Sequence, residues 1–157
     1  MTTSSSVNME DSGARKTFET GAVRDIHEGK GRFDLMPLKS LSAFLEGDTV
    51  LYFLGRFQEE HDEDDLLRSF DEFCNLYDYN GNRYQHILKL AKHFENGALK
   101  YGERNWEKGI SEESYLDSAC RHYCKYRAGW DDEDHASAFL WNVLCLYHTV
   151  TVLNKNK

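Results

Sequence analysis

From Tyr84 to Tyr101 the apolar residues Ile87, Leu88, Ala91, Phe94 and Ala98 recur three and four apart. That spacing predicts an amphipathic helix whose apolar face turns to the core. Glu95 stands seven residues after Leu88 and four after Ala91, so it projects from the same face. The same repeat through Leu116, Ala119, Cys120 and Tyr123 predicts a second helix, capped by Ser111 and stopped by Gly129. "HASAFLWNVLCLYHTVTVL", from His135, is apolar almost all round and predicts the buried central helix; His135, Ala138, Asn142 and Cys145 share one stripe of it.

Upstream, Pro37 opens a short helix through Leu38, Leu41, Phe44 and Leu45, which Gly47 and Asp48 break. "TVLYFLGRF" is a short apolar segment. "QEEHDEDDLLRSFDEFCNLY" predicts one helix carrying Leu66, Leu67, Phe70, Phe73, Cys74 and Tyr77, and "DYNGNR" a turn. Glu19 to Pro37 shows neither strand alternation nor helical period, so it predicts an ordered loop, with Arg24, Lys30 and Arg32 among glycines. Residues 1–17 are a Ser/Thr-rich tail. The sum is an all-α compact helical bundle with a Gly/basic N-terminal loop, one domain over residues 18–157.

A hydrophobic fraction of 40% and an aromatic fraction of 13% suit a globular chain. A formal charge of -8 excludes a simple duplex-coating role but not a nucleotide ligand, because Lys and Arg cluster locally. Cys74, Cys120, Cys124 and Cys145 form no CxxC pair, and buried free thiols fit a reducing compartment. The first residues carry no apolar signal region and no run approaches transmembrane length, so the expectation is a soluble cytoplasmic protein that meets no membrane.

Polar groups on apolar faces carry the candidate chemistry. Glu95 reads either as a boundary glutamate reaching solvent or a lysine, or as the wall of a pocket between helices. His135 reads as a capping or core histidine or as a ligand, and Asp117 and Arg121, four apart, as a surface ion pair or as part of the same site. "DDED" is a solvated helix start, or, through Asp134, a metal ligand. Carboxylates converging from several helices make an oxygen-rich site for Mg²⁺ or Mn²⁺. "GKGR" sets Lys30 and Arg32 beside glycines whose amides can approach phosphate, without a Walker A spacing. "KYGERNW" offers Lys100, Tyr101, Arg104, Asn105 and Trp106 for phosphates and for stacking on a base.

The blocks "ETGAVRD", "GKGRFDLMP", "HFENGALKYGERNWEKGI", "DSACRHY" and "DDEDHASAFLWNVL" together resemble phage-encoded dATP/dGTP diphosphohydrolases, which are similar in fold and chemistry to MazG-like nucleoside triphosphate pyrophosphohydrolases. The resemblance covers about residues 19–38 and 88–146. It implies hydrolysis of a deoxypurine triphosphate to the monophosphate and pyrophosphate with Mg²⁺ or Mn²⁺, in a homodimer or homotetramer, within the host cytoplasm. By matching position it carries across Glu95, Asp117, Arg121, His122, His135 and Asn142; the reading built on it takes Glu95, Asp117 and His135 as catalytic, and Glu95, Asp117, Asp134 and His135 as metal ligands. Arg24, Lys30, Arg32, Lys100, Tyr101, Arg104, Asn105, Trp106, Arg121, His122 and Asn142 would hold the substrate. An acidic helical segment at about residues 47–83 is an insertion by the same comparison. Two rivals stand beside this reading: a degenerate module that binds nucleotide or a host protein, and a His-Asp phosphohydrolase that releases tripolyphosphate.

Overall fold

A computed structural model describes residues 15–25, 28–76 and 82–156. Among these residues six α-helices dominate: α1 (Leu38–Phe44), α2 (Thr49–Glu60), α3 (Asp64–Leu76), α4 (Tyr84–Tyr101), α5 (Glu112–Arg127) and α6 (His135–His148). The fold is all-α, as the apolar periodicity predicts.

The helix ends follow local chemistry. Ser111 caps α5 by accepting from the Ser114 amide, Asp48 caps α2 through the Leu51 amide, and Asp134 caps α6 through the Ser137 amide. Gly102 ends α4 at φ 95°, a conformation that only glycine adopts without strain. The long helix predicted from Gln58 is instead two: α2 continues to Glu60, His61 takes a left-handed conformation at φ 56°, and α3 restarts at Asp64 with acidic residues in its first turn. Tyr77 and most of the predicted "DYNGNR" turn lie outside the described residues.

α5 and α6 make the most extensive helix–helix contact, and α3 and α4 flank α6. Phe73 of α3 stacks on Phe139 of α6 at 4.4 Å between ring centroids, with Tyr123 of α5 against both. The acidic 47–83 segment is therefore part of the core. Val50, Leu51, Leu54, Phe57, Leu66, Phe73 and Cys74 are all buried. Asp48 also accepts from the Tyr123 hydroxyl at 2.6 Å, which ties the start of that segment to α5. α1 and α2 meet backbone to backbone at Gly55, where a Cβ would come within 2.3 Å of the Lys39 nitrogen.

Four further expectations are corrected. The predicted loop contains one strand, β2 (Val23–Asp25), which pairs antiparallel with β1 (Arg15–Thr17) of the predicted tail, Arg15 opposite Asp25. Arg15 to Thr17, placed by composition in the tail, is thus ordered, while residues 1–14 lie outside the described residues. These strands are too short to show an alternation in the sequence.

The first part of the predicted α4 stripe, Ile87, Leu88 and Ala91, faces outward. Leu88 is 74% exposed and Ile87 and Ala91 are also exposed, whereas His86 and Leu90 are buried and Phe94 is half-buried. α4 carries apolar residues on two sides, and packing on α6 takes the side of Leu90 and Phe94.

One stretch does reach the length and composition of a membrane-spanning helix: His135–Leu153, 19 residues, α6 with its π-helical continuation Thr149–Leu153. It does so because it is the central helix of the bundle, apolar on nearly every side and packed against α3, α4 and α5.

Candidate functional site

β1, β2 and residues 28–33 form a strap over the helices, and side chains of the helices fasten it. The Asn105 amide accepts from the Val23 N–H at 2.9 Å and donates to the Val23 carbonyl at 2.6 Å. Asp117 accepts from the Phe33 N–H at 2.7 Å, and Arg121 donates to the Gly31 carbonyl at 2.6 Å. Asp117 and Arg121 also pair with each other at 2.8 Å, and both side chains are almost wholly buried. The pair is therefore not a surface ion pair: it is a buried clamp that fixes the Gly/basic loop.

Between strap, α4, α5 and α6 lies a cavity of about 800 Å³. Of the residues singled out in the sequence it brings together Arg24, Lys30, Glu95, Lys100, Tyr101, Arg104, Asn105, Trp106, Arg121, His122, Asp134 and Asn142. Arg32 is not among them: it pairs with Asp34 at 2.7 Å and lines a separate, smaller depression. Asn105 and Asn142 have their amide groups engaged within the protein, Asn142 through Arg24 and the Ala138 carbonyl. Trp106 makes T-shaped contacts with Phe94 and with His148, at 6.0 and 5.3 Å between centroids, and with Ile110 and Trp141 makes the apolar part of the wall. Glu95 is exposed at the rim.

The metal-ligating chemistry gathers at the junction of α5 and α6. His122 Nδ1 lies 2.9 Å from His135 Nδ1 and 3.5 Å from Glu133 Oε1, and His135 Nδ1 lies 3.9 Å from that oxygen. Among the described residues, this is the group of His, Cys, Asp and Glu side chains whose ligand atoms converge within 4.8 Å. His122 and Glu133 line the cavity; His135 is buried behind them. His135 Nε2 meets Asp132 Oδ1 at 2.6 Å, so the ring donates there and turns the lone pair of Nδ1 toward His122 and Glu133. Burial, reinforced by His135 and Lys125, holds the His122 imidazole well below its ordinary pKa, in the neutral form that ligates metals. Burial pushes the Glu133 carboxyl up, against the pull of His135 and Lys125. At Asp132 burial also acts upward, but the hydrogen bond and charge of His135 outweigh it and hold that carboxyl below its ordinary value.

Asp134 and Asp117 stand apart from this group. Both Asp134 oxygens serve Ser137, through its N–H and its hydroxyl. Asp117 is taken up by Arg121 and Phe33.

Glu133, Asp132 and Lys125 are site residues that the sequence pattern does not reveal. Glu133 and Asp132 stand in the "DDED" run that reads as a solvated helix start, and Lys125 sits one turn after His122. Lys125 lines the cavity, and burial lowers its ammonium pKa while Glu133 and Asp132 raise it. Lys30 and Lys100 also line the cavity, from the loop and from α4, giving the histidine–glutamate group a cationic surround.

Comparison with known proteins adds one family. The family described as dATP/dGTP diphosphohydrolase, N-terminal, matches residues 77–156, half of the chain, spanning α4, α5 and α6 but not the strap or α1 to α3. No curated protein and no solved structure matches the chain.

Proposed function

Because the chain belongs to the dATP/dGTP diphosphohydrolase family, whose description names a hydrolase of deoxypurine nucleotides, we propose that it cleaves dGTP or dATP with a divalent metal, adding water to release the monophosphate and pyrophosphate. One observation carries the metal reading: two histidine nitrogens and a glutamate oxygen converge in the wall of a cavity that also presents Lys30, Lys100 and Lys125.

The donor set fits a divalent cation. His122, Glu133 and His135 would hold it, with Asp132 orienting His135. Two imidazoles and one carboxylate suit Mn²⁺ or a similar transition metal better than Mg²⁺, which prefers an all-oxygen shell. When bound, the cation supplies Lewis acidity toward a phosphoryl oxygen and acidifies water.

The chain's own residues supply the rest. Lys30, Lys100 and Lys125 neutralise the phosphate chain in a partly enclosed cavity, where charge interactions are stronger than in bulk water. Trp106 and Phe94 offer an aromatic wall for the purine. Glu95, at the rim, is the carboxylate we assign to orienting the attacking water. Asp117, Arg121 and Asn105 act through the strap, by holding Lys30 and Arg24 in place. A homodimer or homotetramer in the cytoplasm completes the proposal, and light scattering of the purified chain tests the assembly.

The direct test incubates the protein with each dNTP and Mn²⁺ or Mg²⁺ and identifies the phosphorus products. Pyrophosphate with dGMP or dAMP is the expected result. Tripolyphosphate with the nucleoside would identify a His-Asp type phosphohydrolase instead, a reading that the His122, His135 and Asp132 cluster keeps in play. Binding without turnover would make the chain a nucleotide-binding module.

A further inference from the structure

Arg24, on β2, reaches the inner part of the cavity and is held there on three sides. Its Nη2 donates to Asn142 Oδ1 at 3.1 Å, and its guanidinium carbon lies 5.7 and 5.9 Å from the ring centroids of Tyr115 and Trp141. Asn142 is itself fixed, because its Nδ2 donates to the Ala138 carbonyl at 2.8 Å. The second terminal nitrogen, Nη1, is buried and has no hydrogen-bond partner among the described residues.

A cation placed this way is out of balance. Burying a charged group costs several kcal/mol unless an opposite charge and hydrogen bonds compensate it. Asn142 supplies one neutral acceptor, and the aromatic faces only a weak attraction. The same imbalance shows in the guanidinium pKa, which burial lowers. A neutral partner at Nη1 would satisfy the hydrogen bond and leave the charge; an oxyanion satisfies both. Guanidinium–phosphate pairing is the strong, directional version of that contact.

Resting on the nucleotide reading above, we infer that Arg24 is a built-in anion receptor, which takes an oxygen of the substrate's phosphate chain through Nη1. Asn142 is its positioning residue, and the Tyr115 and Trp141 rings pack beside the guanidinium. Arg24 thereby differs from Lys30, Lys100 and Lys125: its site is formed before the ligand arrives, and the ligand removes a penalty already present in the free protein.

The inference makes the affinity and the stability of one variant move in opposite senses. Calorimetry and thermal unfolding of the full chain in EDTA, with pyrophosphate as probe, measure both without metal or turnover. R24M should bind pyrophosphate roughly 10- to 100-fold more weakly. Without ligand it should melt no lower than the wild type, because an uncompensated charge has been removed. R24K keeps the charge without the planar fork, and it decides the matter should R24M fail to fold. About threefold or greater weakening is expected of it. Pyrophosphate affinity unchanged in either folded variant would overturn the inference. So would a change confined to the choice between dGTP and dATP, which would make Arg24 a reader of the base. Pyrophosphate binding that depends on Arg24, in a protein that turns over no dNTP, would support the receptor while the enzyme reading fails.

Discussion

His122 Nδ1 and His135 Nδ1 face each other at 2.9 Å, and the far side of the His135 ring is held by Asp132 at 2.6 Å. The two imidazoles come from different helices, so packing of α5 on α6 sets their separation. If they are metal ligands, Asp132 governs affinity by fixing the tautomer of His135. Asp132→Asn should lower Mn²⁺ affinity about 10- to 100-fold, measured by calorimetry or electron paramagnetic resonance, with the circular dichroism spectrum unchanged. Unaltered Mn²⁺ binding would take His135 out of the ligand set.

Glu95 and Glu133 are separable by the same measurement. Glu133→Gln should lose Mn²⁺ binding and turnover together. Glu95→Gln should lose turnover while keeping both Mn²⁺ affinity and helix content. A fully active Glu95→Gln protein would show that the water is oriented from elsewhere.

The buried Asp117–Arg121 pair bears on stability as well as on the site. Asp117→Ala leaves Arg121 buried without its counter-charge and frees the Phe33 amide, so urea unfolding should show a loss of about 3–5 kcal/mol. The double variant Asp117→Leu with Arg121→Met should be less damaged than the sum of the singles, since it removes both charges. A cost under about 1 kcal/mol for Asp117→Ala, the scale of an exposed pair, would contradict its role as a buried clamp.

Acid sensitivity should localise in part to His93. Burial holds its imidazole below the ordinary 6.5, against a smaller upward pull from Asp134. Between its lowered folded pKa and 6.5 the unfolded chain therefore binds more protons at this residue than the folded one. The stability it contributes is complete above 6.5 and falls as pH drops through that value toward the folded pKa. His93→Gln, compared with the wild type in EDTA, should show a flatter fall in melting temperature from about pH 7 to about pH 5. Parallel slopes would show that His93 titrates normally.

α1, α4, α5 and α6 were legible because their periods and ends rest on local chemistry: a serine caps α5 and a glycine ends α4. The break between α2 and α3 and the aspartate cap of α6 were not. Directions were not. Periodicity places Glu95 correctly with Leu88 and Ala91, yet says nothing of which side of α4 meets α6, and the side bearing Leu90 and Phe94 is the one that packs. Asp117 and Arg121 show the same limit from the other side, since an i,i+4 pair looks identical in sequence whether it is wet or buried. Glu133 was hidden by its neighbours. In a run of four acids, only the geometry at the head of α6 separates the cap, Asp134, from the residue that turns toward His122.

The strap has a consequence for how the cavity opens. Of its residues Ala22 is fully buried and Phe18 and Phe33 only partly so, while its ties to the bundle include the Asn105, Asp117, Arg121 and Arg24 contacts, the Thr20 hydroxyl on the Gly109 carbonyl and Gln58 on the Asp34 carbonyl. Such a segment can lift away at a cost set by a few hydrogen bonds and little apolar area, well below that of unfolding the core. Its amides should therefore exchange with solvent faster than those of α5 and α6. A phosphate chain reaching from Arg24 and Lys30 on the strap to Lys125 on α5 would act as a further stitch, so that the nucleotide closes the wall that encloses it, and slowed exchange along residues 15–25 and 28–35 would record its arrival.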